Sequence, residues 1–583
     1  MKNKDSTPFL YFNFVNHNGK LNPLQFKDPI NIIVARSIEE VMPCLTQIQQ
    51  AVSKGYYAAG YLSYEAAPAF DQNYQVNKGN QAPLLWFGIF DKPEQEIMNC
   101  NHTFKVSHWN PNVTIDTYNE KIDKIHNHIL AEETEQVNYT IRLSANFEGD
   151  SLAFYKQLED AQSANYSAYI DIEDYTILSS SPELFFHLKD GEITTRPMKG
   201  TIGRGNTYEE DIRNADWLKS SKKNRFENEL VVNLMINELE KIAVPGTIKK
   251  QSLYEIEKYP TVYQMTSTVK AEIPPEKNII DIFKALFPSG SITGLPKIKT
   301  MEIISEIETS PREVYCGAIG FITPENEAVF NVPIRTVLID KQNGHAQYGV
   351  GGAITHESTK EEEYAEVLIK AELLVKERSD FKLLETLGLK NGEYLVLDEH
   401  LTRLKRSAQY FDFMLDIDEI KRELRLTAIK HNDDKHWKVR LIVDKNGEFT
   451  IETEIVNPFT ENVSVALSNK PIEKADLFLY HKTTNRKTYD LHREFNRAVF
   501  DVLLWNDANE ITEFTMGNIV IELEGKLITP PIECGVLAGT YREVLLQKAV
   551  ISELKITVED LRRCQNIWFI NSVREWVPVN LIG

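Results

Sequence analysis

Residues 194–205 read TTRPMKGTIGRG. Lys199 stands there between a rigid Pro-Met step and a Gly-Thr turn. It closes the run SAYIDIEDYTILSSSPELFFHLKDGEITTRP, whose β-branched and aromatic residues predict successive strands joined by the turn LKDGE. Taken alone, the lysine is open to three readings: an exposed strand-end charge, a phosphate ligand or a nucleophile. The phosphate reading is the weakest, because a P-loop places its glycines before the lysine as GxxxxGK[ST], and here the lysine leads.

Working outward, RFENELVVNLMINELEKIAV predicts a helix with apolar residues at 230, 231, 234, 235 and 239, and Glu227 falls near the start of that face. FPSGSITGLPKIKTMEIISEIE predicts a Gly/Ser loop entering a helix. YCGAIGFIT, AVFNVPIRTVLID and HAQYGVGGAIT are strand candidates, and STKEEEYAEVLIKAELLVKER predicts a closing helix. Upstream, LYFNFV, YYAAGYLSY and PLLWFGIFD alternate with turns around the amphipathic stretch IEEVMPCLTQIQQAV. The pattern is α+β. A domain boundary is expected at Arg378–Lys382, where the last helix gives out into ERSDFK, so that residues 1–378 form one domain and 382–583 a second.

Composition bounds the chemistry. A chain of 583 residues exceeds a single core of ordinary size. Its net charge of -20 argues against a nucleic-acid or anionic-membrane binder, since both need a basic field, so an anionic ligand must be held by local cations or a metal. The cysteines, Cys44, Cys100, Cys316, Cys534 and Cys564, are scattered singly and read as reduced thiols. No signal-like or membrane-spanning apolar run is seen, which predicts a cytoplasmic protein. The histidines are dispersed, with no HExxH or paired Cys/His spacing that would suggest zinc.

SSSPELFFHL, ENELVVNLMINEL, EKYPTVYQMTSTV, FPSGSITGLPKIKTMEII, YCGAIGFI, VPIRTV and GVGGAITHESTKEEEYAEVLIKA resemble, in order, the signature blocks of the chorismate-utilising enzymes. The resemblance is strong over residues 120–375 and weaker for GYLSYEAAPAFD upstream. It implies an anthranilate synthase component I-like β-sandwich with surrounding helices. A lysine at position 199 marks the aminodeoxychorismate synthase component I branch, whereas anthranilate synthases carry alanine in PIAGT. The resemblance further implies that Lys199, with Arg196 and Mg²⁺ as candidate neighbours, attacks chorismate at C2 while Glu183 acts as general acid and base at the departing hydroxyl. Glu227, Glu363 and Glu366 match the metal ligands. Arg335 matches the cation for a substrate carboxylate, with Ser291 and the amides of Gly351 and Gly352 as hydrogen-bond donors and Tyr315 lining the ring pocket.

Three departures stand out. Asn233, Ile236 and Glu238 replace Asp, Arg and Asp, which puts helix-packing salt bridges in doubt. Leu295 replaces alanine in SITGAPK. Gln264 replaces a histidine, and an amide cannot shuttle protons, which suits an enzyme that stops before pyruvate elimination.

The remaining residues resemble aminodeoxychorismate lyase and the branched-chain and D-amino-acid aminotransferases, through LLETLGLKNGEYLVLDEHLTRLKRSAQYFDF, HKTTNRKTYD, EITEFTMGNIVIELEGKLITPPIECGVLAGTYREVLL and FINSVREWVPV. That family uses pyridoxal phosphate on the fold-type IV α+β scaffold. The resemblance implies that Lys482 carries the cofactor, Glu513 pairs with its pyridine nitrogen, and Arg403 with the Gly539-Thr540 backbone holds its phosphate. Tyr489 is expected near the cofactor, and a homodimer through this domain is implied.

Together the resemblances imply a fusion that makes 4-aminobenzoate from chorismate: amination at C4, then release of pyruvate. No cysteine sits in a GxCxG-type elbow, so ammonia or a separate glutamine amidotransferase subunit is expected as nitrogen source. Two alternatives remain open: a transaminase as second domain, or a first domain that binds chorismate without catalysis as a scaffold for the lyase.

Overall fold

The computed structural model describes residues 7–16, 19–95, 103–375, 380–459, 463–494 and 499–582. Cys100 and residues 378–379 of the expected boundary lie outside the described residues. The chain divides into two compact units, residues 1–204 with 214–378 and residues 205–213 with 379–583. Among the described residues no helix is long and apolar enough to cross a membrane.

The first unit is built on two ten-stranded sheets. One includes the long strand Gln136–Gly149, whose first eight residues are all buried, as expected of a strand covered on both faces. The inner faces meet through Leu10, Phe12, Phe26, Ala168 and Ile170 of this sheet and Ala59, Tyr61, Ile319 and Phe321 of the other. Helices cover the outer faces: Ile115–Leu130, Ser151–Gln162 and Lys297–Ile307 on the first sheet, Ile38–Ser53 and Ile279–Leu286 on the second. The result is a β-sandwich with surrounding helices.

The chain passes twice between the sheets near the site. Tyr175–Ser181 belongs to the first sheet and Leu184–Lys189 to the second, so Pro182 and Glu183 make one crossing. Ala328–Asn331 lies in the second sheet and Thr336–Asp340 in the first, so Val332 to Arg335 make the other. AVFNVPIRTVLID, expected as one strand candidate, is therefore two strands in different sheets. Pro333 offers no N–H to a ladder, and Arg335 takes a left-handed φ of 52°, which ends the extended run.

In the second unit a four-stranded sheet containing Leu383–Lys390 and His436–Val443 packs against the helices Leu397–Phe411 and Ile417–Lys430. An eight-stranded sheet containing Asp501–Trp505, Ile511–Phe514 and Asn518–Leu523 forms the remainder of the scaffold. The amide of Leu384 donates to the carbonyl of Lys482 at 3.0 Å, and Thr484 N to Lys382 O at 2.9 Å, so the loop bearing Lys482 is sewn to the smaller sheet.

Candidate active sites

The first site is a cavity of about 300 Å³ in the first unit, lined by Glu183, Lys199, Glu227, Gln264, Ser291, Tyr315, Arg335, Gly351, Gly352, Glu363 and Glu366. These residues, each expected there from sequence, reach one space, though they lie 183 positions apart along the chain at the extremes.

Lys199 sits on Met198–Gly203, where pairing with Val262–Glu272 shifts register between Met198 and Thr201. Gly200 makes this bulge possible with φ of +93°, a region other residues rarely adopt. Gln264 fixes the bulge from the partner strand: its Nε2 donates to Gly200 O and its Oε1 accepts from Thr201 Oγ1, both at 3.0 Å. Gln264 thus lines the cavity, but both ends of its amide are spent on the strand that carries Lys199.

Lys199 Nζ donates to Asn138 Oδ1 at 3.2 Å. Burial pulls its pKa below the ordinary lysine value, helped by Lys370 and opposed by Glu227, Glu183 and Glu366. Glu183 is 3% exposed, and burial pushes it up to about 7 against the opposing pull of Ser291 and Lys199. Ser291 Oγ donates to Glu183 Oε1 at 2.5 Å and lies 2.9 Å from Ser289 Oγ. An amine tending to lose its proton thus shares the cavity with a carboxyl tending to keep one. Arg196, considered a neighbour of Lys199, is instead turned to Glu255 and Glu257, at 3.3 and 2.8 Å, and does not line the cavity.

Arg335 is 8% exposed and its Nη1 is buried without a hydrogen-bond partner among the described residues, so a donor is left for an anion entering the cavity. Holding a non-glycine residue at positive φ costs about 1–3 kcal/mol and aims this guanidinium. Beyond Tyr348 the strand His345–Ile354 pairs with Gln136–Gly149 alone, which leaves one edge of Gly349 to Gly352 without a strand partner beside the cavity. Tyr315 lies under the Arg142 guanidinium, 5.5 Å from its ring centroid.

The three carboxylates expected to bind metal line the same cavity but are not assembled into a ligand set. Among the described residues no three His, Cys, Asp or Glu side chains are placed to hold an ion. Ser358 Oγ donates to Glu363 at 2.7 Å, and Lys370 Nζ pairs with Glu366 at 2.5 Å while also donating to Gly351 O at 2.8 Å. The donor chemistry nevertheless suits a hard cation. Burial raises Glu363 to about 7, with Glu366 and Glu227 adding repulsion that a cation would relieve.

The altered helix retains one buried ion pair: Glu238, 2% exposed, engages Lys297, whose Nζ also donates to Pro288 O at 2.7 Å. Asn233 has only a long contact from Lys250, at 3.4 Å near the surface. Of the charges in doubt, that at 238 remains structural. Sequence reasoning missed Asn138 and Lys370. Asn138 could have been noticed as a strand-disfavoured residue within QVNYTIRL.

The second site is a cavity of about 500 Å³ lined by Arg403, Lys482, Tyr489, Glu513, Asn518, Gly539 and Thr540 among others. Burial, with Arg403 and Arg486 nearby, lowers Lys482 to about 7. Glu513 is 3% exposed and burial raises it to about 7. It is held by Tyr489 Oη at 2.8 Å, Asn518 Nδ2 at 3.0 Å and Leu537 N at 3.1 Å. Gly539 precedes the helix Thr540–Gln547, and a Cβ there would run into Asn518 Oδ1.

Arg403 does not point at the cavity alone. Its Nε and Nη2 grip both oxygens of Glu385 at 2.9 and 2.6 Å, and Nη1 donates to Ala538 O at 3.0 Å. His400 Nδ1 donates to the same carboxylate at 2.6 Å, while its Nε2 faces the hydroxyls of Ser572 and Thr540 at 2.9 and 3.2 Å. Burial resists ionisation of Glu385, but Arg403 and His400 overcome it and hold the carboxyl at about 2. Sequence reasoning missed Glu385, His400 and Asn518. The i, i+3 spacing of His400 and Arg403 in DEHLTRL was the available signal.

These residues suit pyridoxal phosphate. A depressed lysine, a braced acidic group, a guanidinium and a helix start that excludes a side chain at Gly539 surround one cavity.

Comparison with known proteins agrees with both halves. Residues 94–376 match the family described as chorismate binding enzyme, and residues 382–582 that described as amino-transferase class IV. The chain is 38% identical over 264 residues to a protein of Salmonella typhimurium named aminodeoxychorismate synthase component 1, covering 45% of this chain and 58% of that protein. It is 36% identical over 271 residues to the Escherichia coli protein of the same name, covering 46% and 59%. The chain thus spans about three fifths of the length of these relatives, 58% and 59%. In fold it is similar to anthranilate synthase component I from Streptococcus pneumoniae, with a TM-score of 0.50 at 22% identity over 64% of this chain and 94% of that one.

Proposed function

We propose that this chain, in which a chorismate binding enzyme domain is followed by a class IV aminotransferase domain, converts chorismate and ammonia into 4-aminobenzoate and pyruvate in two steps. One observation carries the reading: a lysine amine, Lys199, and a buried carboxyl, Glu183, line the same cavity with protonation tendencies opposite to their usual ones.

In the first step Lys199 forms a bond to C2 of chorismate as the C4–O bond breaks, and Glu183 delivers the proton that lets the hydroxyl leave as water. Ammonia then bonds to C4 as the C2–N bond breaks and Lys199 is released. The spare Nη1 of Arg335 receives one substrate carboxylate. Glu227, Glu363 and Glu366 would hold a magnesium ion, whose charge would neutralise the other. Gln264 has no proton to exchange, so the first site stops at the aminated intermediate. The relatives' name, component 1, supports a separate glutamine amidotransferase as nitrogen source.

In the second step Lys482 would carry pyridoxal phosphate, which when bound would supply an electron sink for chemistry at the aminated carbon. Glu513, held in place by Tyr489 and Asn518, would pair with its ring nitrogen, while Arg403 and the Thr540 helix start would receive its phosphate. Lys482, lowered to about 7, takes the proton from C4 as the C3–O bond to the enolpyruvyl group breaks, and returns it to the methylene carbon of the departing group, leaving an aromatic ring and pyruvate.

The test is a single assay with chorismate, ammonium, Mg²⁺ and pyridoxal phosphate, followed for 4-aminobenzoate and pyruvate. Lys199→Ala is expected to consume no chorismate, and Lys482→Ala to accumulate the aminated intermediate without pyruvate. Turnover by Lys199→Ala would leave the first reading without its nucleophile. The family match of the second domain also admits transamination, and amino-group transfer to a 2-oxo acid in place of pyruvate release would decide for it.

A further inference from the structure

Asn138, an uncharged side chain, touches both halves of the first site's machinery. Its Oδ1 accepts from Lys199 Nζ at 3.2 Å, and its Nδ2 donates to the backbone oxygen of Ser291 at 2.5 Å. Ser291 in turn donates its hydroxyl to Glu183. The amide therefore spans the gap between the nitrogen that attacks and the arm that holds the proton donor.

The anchoring of this amide is unusually firm. Asn138 is 6% exposed and lies in the strand Gln136–Gly149 opposite Ala353, and its N–H donates to Thr293 O at 2.8 Å. Its own carbonyl accepts from Arg312 Nη2 at 2.9 Å, and Arg312 Nη1 donates to Ile292 O at 2.8 Å, one residue past Ser291. Arg312 is itself fixed by Glu308, which also grips Arg142 and Thr140. A buried ion cluster thus fixes the backbone on both sides of the amide.

We propose that Asn138 is a positioning residue for Lys199, a neutral acceptor that directs the amine toward the substrate and couples it to the Ser291–Glu183 arm. The neutrality matters as much as the geometry. Lys199 is faced by Glu183 from the sheet crossing, by Glu227 from the helix Lys222–Leu239, and by Glu366 and Lys370 from the helix Lys360–Ala371. Lys223 and Arg335 line the same cavity. A neutral amine keeps two N–H donors, so one can be given to Asn138 while the lone pair stays available for attack. A carboxylate in the same place would instead hold the amine as ammonium and remove that lone pair.

This inference rests on Lys199 being the nucleophile, and its test separates the two. With full-length protein, Mg²⁺, chorismate and ammonium, kcat/KM is measured against pH for the parent, Asn138→Asp, Asn138→Ser and Lys199→Ala, with thermal midpoints to confirm folding. Asn138→Asp should move the acid limb of the profile up by about 1–3 pH units, the effect of an opposite charge at hydrogen-bond range. Asn138→Ser, which adds no charge, should leave the limb in place and lower kcat by about 10- to 100-fold with KM little changed, as for a misaimed reacting group. A folded Asn138→Asp protein with an unmoved limb, beside an inactive Lys199→Ala, overturns the role of Asn138 alone. Should Asn138→Asp fail to fold, an Asn138→Ser protein with the parent's kcat overturns it equally. Turnover by Lys199→Ala removes the nucleophile and this inference with it.

Discussion

Gly539→Ala isolates the geometry of the second site because the backbone itself would tolerate the change. Gly539 has φ of -66°, open to alanine, so only space opposes a side chain. The added Cβ would overlap the oxygen of the Asn518 amide, a residue 4% exposed that cannot swing into solvent. To clear it, Asn518 must give up its bonds to Glu513 Oε2 and Leu537 O, both 3.0 Å. Overpacking costs about 1–3 kcal/mol, and a hydrogen bond to a charged group is worth about 1.5–3 kcal/mol. If about 1.5–3 kcal/mol of this falls on the cofactor-bound state, pyridoxal phosphate binds roughly 10- to 150-fold more weakly. The assay is an absorbance titration of the apoprotein with the cofactor, with a thermal midpoint to confirm folding. Asn518→Ala should weaken binding on its own, and Gly539→Ala added to it should cost almost nothing further, since the clash partner is gone. Cofactor affinity within threefold of the parent for Gly539→Ala would refute the reasoning.

Other outcomes follow from buried charges. In the proposed mechanism Glu183→Gln removes the proton donor and should lower kcat by about 10²- to 10⁴-fold; because burial raises the parent carboxyl to about 7 and the proposed step uses its protonated form, the parent rate should fall as pH rises through that value, and a flat parent profile from pH 5 to 9 would count against the assignment. Glu308 is buried with Arg142 and Arg312 at 3.1 and 2.7 Å, and Glu308→Leu, which strands both guanidiniums, should cost about 3–5 kcal/mol in urea unfolding of the first unit. Burial, with Glu313 beside it, holds Glu65 at about 8 rather than 4.5, so the folded chain keeps a proton that the unfolded chain releases between those values. Its contribution therefore declines as pH rises from 4.5 to 8, and Glu65→Gln should flatten the parent's fall in thermal midpoint across that window.

Much of the first site was legible because its residues sit in short blocks whose order along the chain is itself a signal. Lys199, Glu183, Arg335, Ser291 and the carboxylate trio could each be named before their distances were known, and all of them line one cavity. The strands were legible wherever apolar alternation was uninterrupted, as in the run SAYIDIEDYTILSSS. AVFNVPIRTVLID misled because hydrophobic patterning records burial and does not say which sheet does the burying. Arg196 misled for a related reason: it ends the strand Glu192–Arg196 while Lys199 stands on the next, Met198–Gly203, so nearness along the chain does not bring the two side chains to one site.

What the sequence by itself determined is the set of candidate groups and the class of chemistry they suggest: a lysine where an alanine would predict another product, an amide at 264 that cannot move protons, and a second lysine in HKTTNR. Tertiary structure decided what those groups are able to do. Lys199 and Lys482 have depressed pKa values, and Glu183 and Glu513 elevated ones, because folding strips water from each of them. Desolvation depends on everything packed around a group and not on its sequence neighbours. The same holds for the partners that no motif announced: Asn138 beside Lys199, Lys370 on Glu366 and Glu385 on Arg403 meet their targets only because distant strands and helices bring them to hydrogen-bond range.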